Sequence, residues 1–203
     1  MAAQALVAYM ERPEKVVLPA SEPSSYEWEM VQRAQSLDEE ALSWLYQLYY
    51  PKVYNYALVQ VSDVQNAEDI ASMVMLKVLE SLGGYKYRGV PFSAWVFRIA
   101  RNQIIDMHRK RKRHGEVELN EAIASGSDSD PQPTAELAVE RSYIQAALVQ
   151  LTEDQRQVIV LKFMHGFDNI TIGRILGRSE GAIKSLQHRA LLALRRQLAG
   201  DVL

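Results

Sequence analysis

The side chains best suited to binding chemistry form a basic strip in the middle of the chain. Cationic and polar residues recur there at helical spacing, at Arg98, Arg101, Asn102, Arg109 and Lys112. Lys110, Arg111 and Arg113 extend the strip, and Asp106 is the only acidic residue between Arg98 and Arg113. A solvated helix face normally mixes its charges, whereas a row of positive charge suits a phosphate backbone. The strip therefore predicts contact with a nucleic acid.

An apolar stripe runs along the same predicted helix through Phe92, Val96 and Ile99, and Trp95 lies at the edge of the basic strip. An aromatic ring in that position can stack on a base or wedge against the end of a duplex. Burial as a core anchor is the alternative, because Trp is mostly buried in small bundles. The sequence leaves both readings open.

Residues 85–91 join this helix to the one before it and combine aromatic, basic and flexible residues. Tyr85, Tyr87 and Arg88 are the side chains that suit the binding of an extruded base. A structural turn with incidental tyrosines explains the same residues equally well.

A second group of candidate residues lies near the C-terminus, where the pattern predicts a helix-turn-helix. Thr152, Asp168 and Ser179 are suited to cap three successive helices, while Gly166 ends the first and Gly177 supplies a sharp turn. A short helix, a tight turn and a longer helix is the arrangement that places a recognition helix in the major groove of DNA.

The last of these helices has two faces. Its predicted buried stripe consists of Ile183, Leu186, Ala190 and Leu194. The opposite face carries Lys184, Ser185, His188 and Arg189. Arg and Lys reach phosphates or guanine edges, and Ser and His donate or accept hydrogen bonds at a base. An ordinary solvated face is the alternative for an isolated helix, but the capped turn before it favours DNA contact.

Residues for covalent or metal chemistry do not form a recognisable pattern. The chain has no cysteine, and His108, His114, His165 and His188 are scattered without carboxylates at ligand spacing. We therefore expect no catalytic residues, no metal, no cofactor and no enzymatic activity.

The elements that must position these residues are helical, because no segment longer than a few residues alternates as a strand would. We predict an all-α protein of two small helical domains, at 26–113 and 135–198. A flexible, proline-containing tail is expected at 1–25 before them. An acidic linker at 114–134 joins them, since its Ser, Gly and Asp residues cannot bury enough apolar surface to fold.

Within the first domain, Ser36 and Glu39 match a capping box before an apolar run that starts at Ala41. A further helix is predicted from about 66 to 82, and the basic helix from about Pro91 to Arg113. The basic residues cluster in this helix and the acidic residues in the linker, and the net charge of −2 does not reveal this separation. No apolar run reaches the length of a membrane helix and the N-terminus does not resemble a signal peptide, so we expect a cytoplasmic protein without membrane insertion.

The C-terminal motif resembles region 4 of the extracytoplasmic-function (ECF) sigma factors, in the sigma-70 family. The similar segments are 151–159 and 175–185. Residues 92–102, with Ile105 and Asp106, are similar to sigma region 2.3–2.4, and 67–70, with Leu76, Lys77 and Val78, to region 2.1–2.2. Thr171 and Gly173 depart from the family, which usually has Glu and Ala there. Ser72 and Met73 stand where a Gln-Glu pair is common.

The resemblance implies an RNA polymerase sigma factor and assigns three surfaces. The −10 element of promoter DNA would be bound by Tyr85, Tyr87, Arg88, Trp95, Arg98, Arg101, Asn102 and Arg109. The −35 element would be bound by Arg178, Ser179, Lys184, Ser185, His188 and Arg189. Core polymerase would be bound by Glu68, Asp69, Ser72, Met73, Leu76 and Lys77.

The implied partners are promoter DNA and core RNA polymerase, through the clamp helices of its largest subunit and the flap of its second largest. An anti-sigma factor is a further partner that the resemblance allows. The first alternative is a helix-turn-helix regulator acting without being a polymerase subunit, which leaves the basic helix without a role. The second is a nuclease or recombinase, which the isolated Asp106 does not favour.

Overall fold

The computed structural model describes residues 25–114 and 146–200 of the 203-residue chain. Its helices include α1 (Ser25–Gln35), α2 (Glu39–Val61), α3 (Val64–Leu82), α4 (Phe92–His114), α5 (Glu153–Ile159), α6 (Asn169–Leu176) and α7 (Glu180–Gly200). A π-helical turn, Val160–Met164, continues α5. These two ranges contain no strand, in agreement with the all-α prediction. Apart from Ser25 and His114, the predicted tail and linker lie outside the described residues.

The start of α2 differs from the capping box predicted at Ser36 and Glu39. Asp38 is the N-cap, and its Oδ1 accepts a hydrogen bond from the Ala41 N–H at 2.9 Å. This bond, with the Arg33 guanidinium 3.1 Å away, holds the pKa of Asp38 below its usual range. The prediction was wrong because Ser36 belongs to the turn that closes α1, where its N–H donates to the Arg33 carbonyl at 3.0 Å.

An N-terminal bundle forms around aromatic pairs between α2 and α4. Tyr49 meets Phe92 edge to face with ring centroids 5.4 Å apart, and Tyr56 meets Phe97 in the same way at 5.4 Å. All four side chains are fully buried. Each such pair contributes about 0.5–1.5 kcal/mol beyond simple burial. Phe92 and Phe97 hold one side of α4 in the core. They therefore determine that the basic strip lies on the side of α4 that faces away from the core.

The C-terminal unit follows the predicted helix-turn-helix. Thr152, Asp168 and Ser179 precede α5, α6 and α7, as expected of N-caps. Asp168 accepts a hydrogen bond from the Thr171 N–H at 2.6 Å. Gly177 ends α6 with φ 66°, in the left-handed region that glycine adopts without steric cost. The local sequence signals for this unit are therefore confirmed.

Gly173 has a structural reason to depart from the usual alanine. It lies in α6, where the Arg178 N–H donates to its carbonyl at 2.9 Å and closes the turn toward α7. A Cβ at this position would lie 2.6 Å from the Arg178 carbonyl oxygen. That distance is well inside van der Waals contact, so the close approach of the two backbones requires glycine.

The two helical units are packed against each other, which the sequence analysis did not predict. Phe97 of α4 lies 5.4 Å from Phe167, measured between ring centroids, and 4.3 Å from the His165 ring. Phe167 is buried, as is Phe97. Residues just after α5 therefore share a core with the N-terminal bundle.

Candidate nucleic-acid interface

The basic strip of α4 is largely solvent-exposed, as its spacing predicts. Arg98, Asn102, Arg109, Lys110 and Arg113 are exposed, and Arg111 is half-buried. Arg101 differs from them: it is half-buried, and its Nε donates a hydrogen bond to Gln157 Oε1 on α5 at 3.2 Å. The strip thus offers several charges to a phosphate backbone, while one cation is engaged inside the protein.

Tyr85 and Tyr87 occupy different environments in the loop before α4. Tyr85 is buried, with its ring centroid 5.1 Å from that of Phe92, and its hydroxyl donates to the Val90 carbonyl at 3.2 Å. Burial raises its pKa to about 12. Tyr87 is 38% exposed. Tyr85 therefore stabilises the loop from its buried side, whereas the Tyr87 ring lies at the surface.

Trp95 is partly buried in the same aromatic cluster. Its ring centroid lies 5.0 Å from Tyr85 and 5.3 Å from Phe92. Of the two readings that the sequence left open, the anchor reading accounts for these contacts. The ring is not fully enclosed, so one part of it stays at the surface beside the basic strip.

Helix α1 supplies two residues of this site that the sequence analysis missed. Gln35 Nε2 donates to the carbonyls of Leu82 and Tyr85, at 2.9 and 2.8 Å, and so ties the start of the loop to α1. Trp28 lies 6.0 Å from Tyr87 between ring centroids and backs it on the protein side. No local signal marks these residues, because their partners lie 47 to 59 residues later in the chain.

The polar face of α7 is open to solvent. Lys184, Ser185, His188 and Arg189 are exposed, while Ile183, Leu186, Ala190 and Leu194 are buried, as predicted. The cations have partners within the C-terminal unit. Lys184 Nζ lies 2.7 Å from Glu180 Oε1, and Arg189 Nε donates to the Ser185 carbonyl at 3.3 Å.

At the turn before α7, Arg178 lies 2.5 Å from Asp154 Oδ2, and Ser179 caps α7 through the Ala182 N–H at 3.3 Å. Both ion pairs of this surface are well exposed. Exposed pairs are worth only about 0–1 kcal/mol, so an incoming phosphate can replace either carboxylate at small cost.

One side of α3 forms a further exposed surface with an apolar centre. Glu68, Asp69 and Ser72 are exposed and Lys77 is half-buried. Met73 and Leu76 are 50% and 49% exposed, although the opposite side of α3 is buried. Leu79, 43% exposed and three residues after Leu76, extends this apolar patch and was missed by the sequence analysis. Contiguous exposed apolar side chains of this kind mark interaction sites.

Two family models match these units: sigma-70 region 2 over residues 45–114, and sigma-70 region 4 over residues 147–196. The chain belongs to the sigma-70 family. It is 32% identical to the ECF RNA polymerase sigma factor BldN of Streptomyces coelicolor, over 90% of this chain and 69% of BldN. It is also 32% identical to SigX of Bacillus subtilis, over 79% of this chain and 84% of SigX.

Among solved structures, this sigma factor is similar to RpoE of Bartonella quintana, crystallised with the anti-sigma factor NepR. The TM-score is 0.63 at 26% identity, covering 76% of this chain and 94% of RpoE. The predicted family and its function in transcription initiation are therefore confirmed. The regulator alternative is not favoured, because the region 2 match includes the basic helix that this alternative leaves without a role.

Two further observations concern the described part of this sigma factor. No three His, Asp or Glu side chains within it are grouped so that they could hold a metal ion. None of its helices combines the length and apolar character needed to cross a bilayer.

Proposed function

We propose that this sigma factor acts as a non-enzymatic subunit of RNA polymerase in the cytoplasm, with three binding surfaces. Region 2, at 26–113, binds core polymerase through α3 and the −10 element through α4. Region 4, at 135–198, binds the −35 element through α7, and residues 114–134 link the two. The observation that carries the proposal is that each of the three surfaces presents several exposed side chains, on units that match the sigma-70 regions.

The α3 surface is proposed to bind the clamp helices of the largest polymerase subunit. Its apolar centre of Met73, Leu76 and Leu79 supplies area to bury, and the exposed Glu68 and Asp69 supply charge at its edge. The loss of the Gln-Glu pair that is common in the family is offset by the Met73 thioether, which adapts to irregular apolar surfaces. Polymerase binding by this surface is thus more apolar than is usual.

The −10 surface is proposed to hold one strand of melted DNA. Exposed Arg98, Asn102 and Arg109 offer contacts to phosphates and base edges, Arg88 offers another beside the loop, and Tyr87 offers a ring for stacking. We assign Tyr85 and Trp95 to this surface mainly as supports, because their rings pack on each other under the loop.

The −35 surface is proposed to enter the major groove with Lys184, Ser185, His188 and Arg189, flanked by Arg178 and Ser179. Region 4 also exposes the apolar side chains of Met164 and Ile170. We assign these to the flap of the second largest polymerase subunit. RpoE was crystallised with an anti-sigma factor, and by similarity we propose that an anti-sigma factor also binds this chain.

The test is transcription in vitro with purified core polymerase on a genomic promoter library. We expect promoter-dependent initiation with the sigma factor present and none without it. A triple change on α3, Met73→Ser, Leu76→Ser and Leu79→Ser, should abolish initiation and core binding together. The opposite result is nanomolar binding of duplex promoters by the free protein without any gain in initiation, which indicates the regulator alternative.

A further inference from the structure

Helix α1 meets the loop that precedes α4 at two points. Gln35 Nε2 donates to the carbonyls of Leu82 and Tyr85, at 2.9 and 2.8 Å, where the loop begins. The Trp28 ring lies 6.0 Å from the Tyr87 ring, between centroids, near the middle of the loop. Trp28 and Gln35 are seven residues apart, so they share one face of α1 and lie about 10 Å apart along its axis. One face of α1 therefore supports the loop at both points.

Helix α1 is itself fixed by the core of region 2. Met30, Val31 and Ala34 are 3% exposed or less, so the helix cannot shift without opening that core. At its C-terminal end, the Arg33 guanidinium pairs at 3.1 Å with Asp38, the N-cap of α2. The support that α1 gives to the loop is therefore a rigid one.

The loop benefits from such a support because its sequence allows many conformations. Three of its residues are glycines, and Gly89 has φ 68°, in the left-handed region that glycine adopts freely. Tyr85 is fixed by burial and by the hydrogen bond from its hydroxyl to the Val90 carbonyl at 3.2 Å. Tyr87 is exposed, and a side chain at the surface of a loop has several rotamers open to it. The aromatic contact from α1 restricts that choice.

Core packing alone does not explain the position of Trp28. Its ring is only partly buried. It meets the buried Tyr85 ring edge to face, with centroids 6.4 Å apart, and it also lies against the exposed Tyr87 ring. Trp28 therefore joins the buried aromatic cluster under the loop to the ring that faces solvent.

A Tyr87 ring that is ordered in advance binds an unpaired base more tightly. When a mobile side chain becomes fixed on binding, the lost entropy weakens the affinity by about two- to tenfold. A ring already held against Trp28 has lost that freedom before the base arrives. Stacking of one base on a tyrosine strengthens binding by about tenfold. The ordering of Tyr87 therefore matters only for the base that stacks on it.

We propose that Trp28 is a positioning residue for the −10 strand. It holds the Tyr87 ring so that one extruded base stacks on it, and it thereby raises the affinity for that base. Gln35 acts with Trp28 by fixing the main chain where the loop begins. The inference rests on the proposed function, which assigns this loop to the −10 element. It adds to that function a residue of α1, which lies outside the range 45–114 matched by the region 2 model.

Binding of the holoenzyme to fork-junction DNA measures this effect one base at a time. The probe is made from a promoter found in the library experiment, with duplex DNA upstream of a fluorescein-labelled, single-stranded −10 element. Each nucleotide of that strand is replaced in turn by an abasic site. With the parent chain we expect an about tenfold loss of affinity at the position whose base stacks on Tyr87. Tyr87→Ala should bind the intact and the abasic strand equally at that position, because the ring is gone.

In Trp28→Ala the same abasic site should lower the affinity only about two- to threefold, and the effects at the other positions should stay as in the parent chain. Trp28→Phe should restore most of the tenfold difference, because it keeps a ring behind Tyr87. The double variant Trp28→Ala, Tyr87→Ala should lose no more than Tyr87→Ala alone, since Trp28 acts through Tyr87.

Trp44→Ala is the matched control. Trp44 of α2 is also partly buried, and its ring meets that of Tyr26 edge to face at 5.4 Å between centroids. Its removal takes a tryptophan of similar burial from the same domain, so this variant should keep the full tenfold difference. Circular dichroism verifies that each variant keeps its helices. If Trp28→Ala loses its helical signal, Gln35→Ala replaces it, with the same expected loss at the same position.

Three results would overturn the inference, and they differ in what they say of the proposed function. If Trp28→Ala, or Gln35→Ala in its place, keeps the tenfold difference that Tyr87→Ala loses, α1 does not position the ring and the proposed function stands. If Trp28→Ala weakens binding equally at every position, its role is structural only. If Tyr87→Ala behaves as the parent chain at every position, the assignment of the loop to the −10 strand is wrong, and the role of Trp28 falls with it.

Discussion

The two surfaces proposed to bind DNA differ in what holds them in place. The −35 surface on α7 is built from neighbours in sequence: Ser179 caps the helix and Glu180 pairs with Lys184 four residues on. The −10 surface depends on distant parts of the chain, since Gln35 fixes its loop and Gln157 engages Arg101. The first surface is held by contacts between residues close in sequence, whereas the second has contacts to both α1 and α5.

Because the contacts that hold the two surfaces differ, changes at the two surfaces should have different consequences. A change on α7 should act on the −35 surface alone. Changes in the loop before α4, or in the segment that packs against Phe97, should act through contacts between distant helices. The expected effects are given from the largest to the smallest.

The largest effect concerns pH, through His165. Burial, with a smaller contribution from the positive charge of Lys52 on α2, lowers the pKa of His165 from 6.5 to about 3. The unfolded chain therefore binds one more proton than the folded one between these values, so stability is fully present above about pH 6.5 and is lost as the pH falls. From about pH 6.5 to about pH 5 the free energy of unfolding should fall by ~2 kcal/mol.

Urea denaturation at several pH values measures this slope. His165→Phe keeps a ring against Phe97 and Tyr56 but does not titrate. The dependence of its unfolding free energy on pH should therefore be smaller, by the amount that corresponds to about one proton. The groups around this ring include Lys52, whose positive charge helps to lower the pKa of His165, and Tyr56, whose ring centroid lies 6.1 Å away. If the parent chain and His165→Phe show the same dependence of stability on pH, this dependence does not come from His165.

The second effect concerns promoter opening. Asn102→Ala or Tyr87→Ala should reduce opening about 10- to 100-fold, because the loss of a stacking or hydrogen-bonding partner costs ~1–3 kcal/mol per base. Closed-complex formation should change little, since the −35 surface is intact. Permanganate footprinting beside a gel-shift separates the two steps. A template with a pre-melted −10 bubble should rescue transcription, and failure of that rescue removes these residues from strand capture.

The third effect concerns the stability of region 4. Gly173→Ala should destabilise the protein by about 1–2 kcal/mol, because the clash with the Arg178 carbonyl exceeds the ~1 kcal/mol that alanine gains in a helix. Gly181→Ala meets nothing within 4 Å and should stabilise by up to about 1 kcal/mol. Thermal unfolding measures both. Stabilisation by Gly173→Ala would mean that the Arg178 carbonyl does not lie close enough to position 173 to clash with a Cβ.

The smallest effect concerns the −35 surface. Lys184→Ala should weaken promoter binding by ~1 kcal/mol across sequences and lower the salt dependence by about one charge, as expected for a phosphate contact. Arg189→Ala should instead relax the preference for particular bases. Fluorescence anisotropy of the holoenzyme on −35 variants measures both, with core binding as the control. Unchanged promoter selection in both variants would exclude α7 as the recognition helix.

Local signals in the sequence predicted much of the fold. The caps Asp168 and Ser179, the turn at Gly177 and the buried stripe of α7 were all predicted, because each depends on residues within a few positions of one another. The same reasoning failed at the start of α2. A Ser and a Glu with capping-box spacing were present, but Asp38, held by Arg33 from the previous helix, is the cap.

Taken alone, the sequence determined the helical class, the two family regions and the residue types of the DNA-binding faces, since periodicity, caps and charge pattern are properties of neighbouring residues. Only the tertiary structure decided that Tyr85 is buried while Tyr87 is exposed, and that Trp28 lies behind the loop. It also decided that Arg156 meets carbonyls 96 and 97 residues earlier. Such contacts depend on how distant helices pack, and no pattern within a single helix records them.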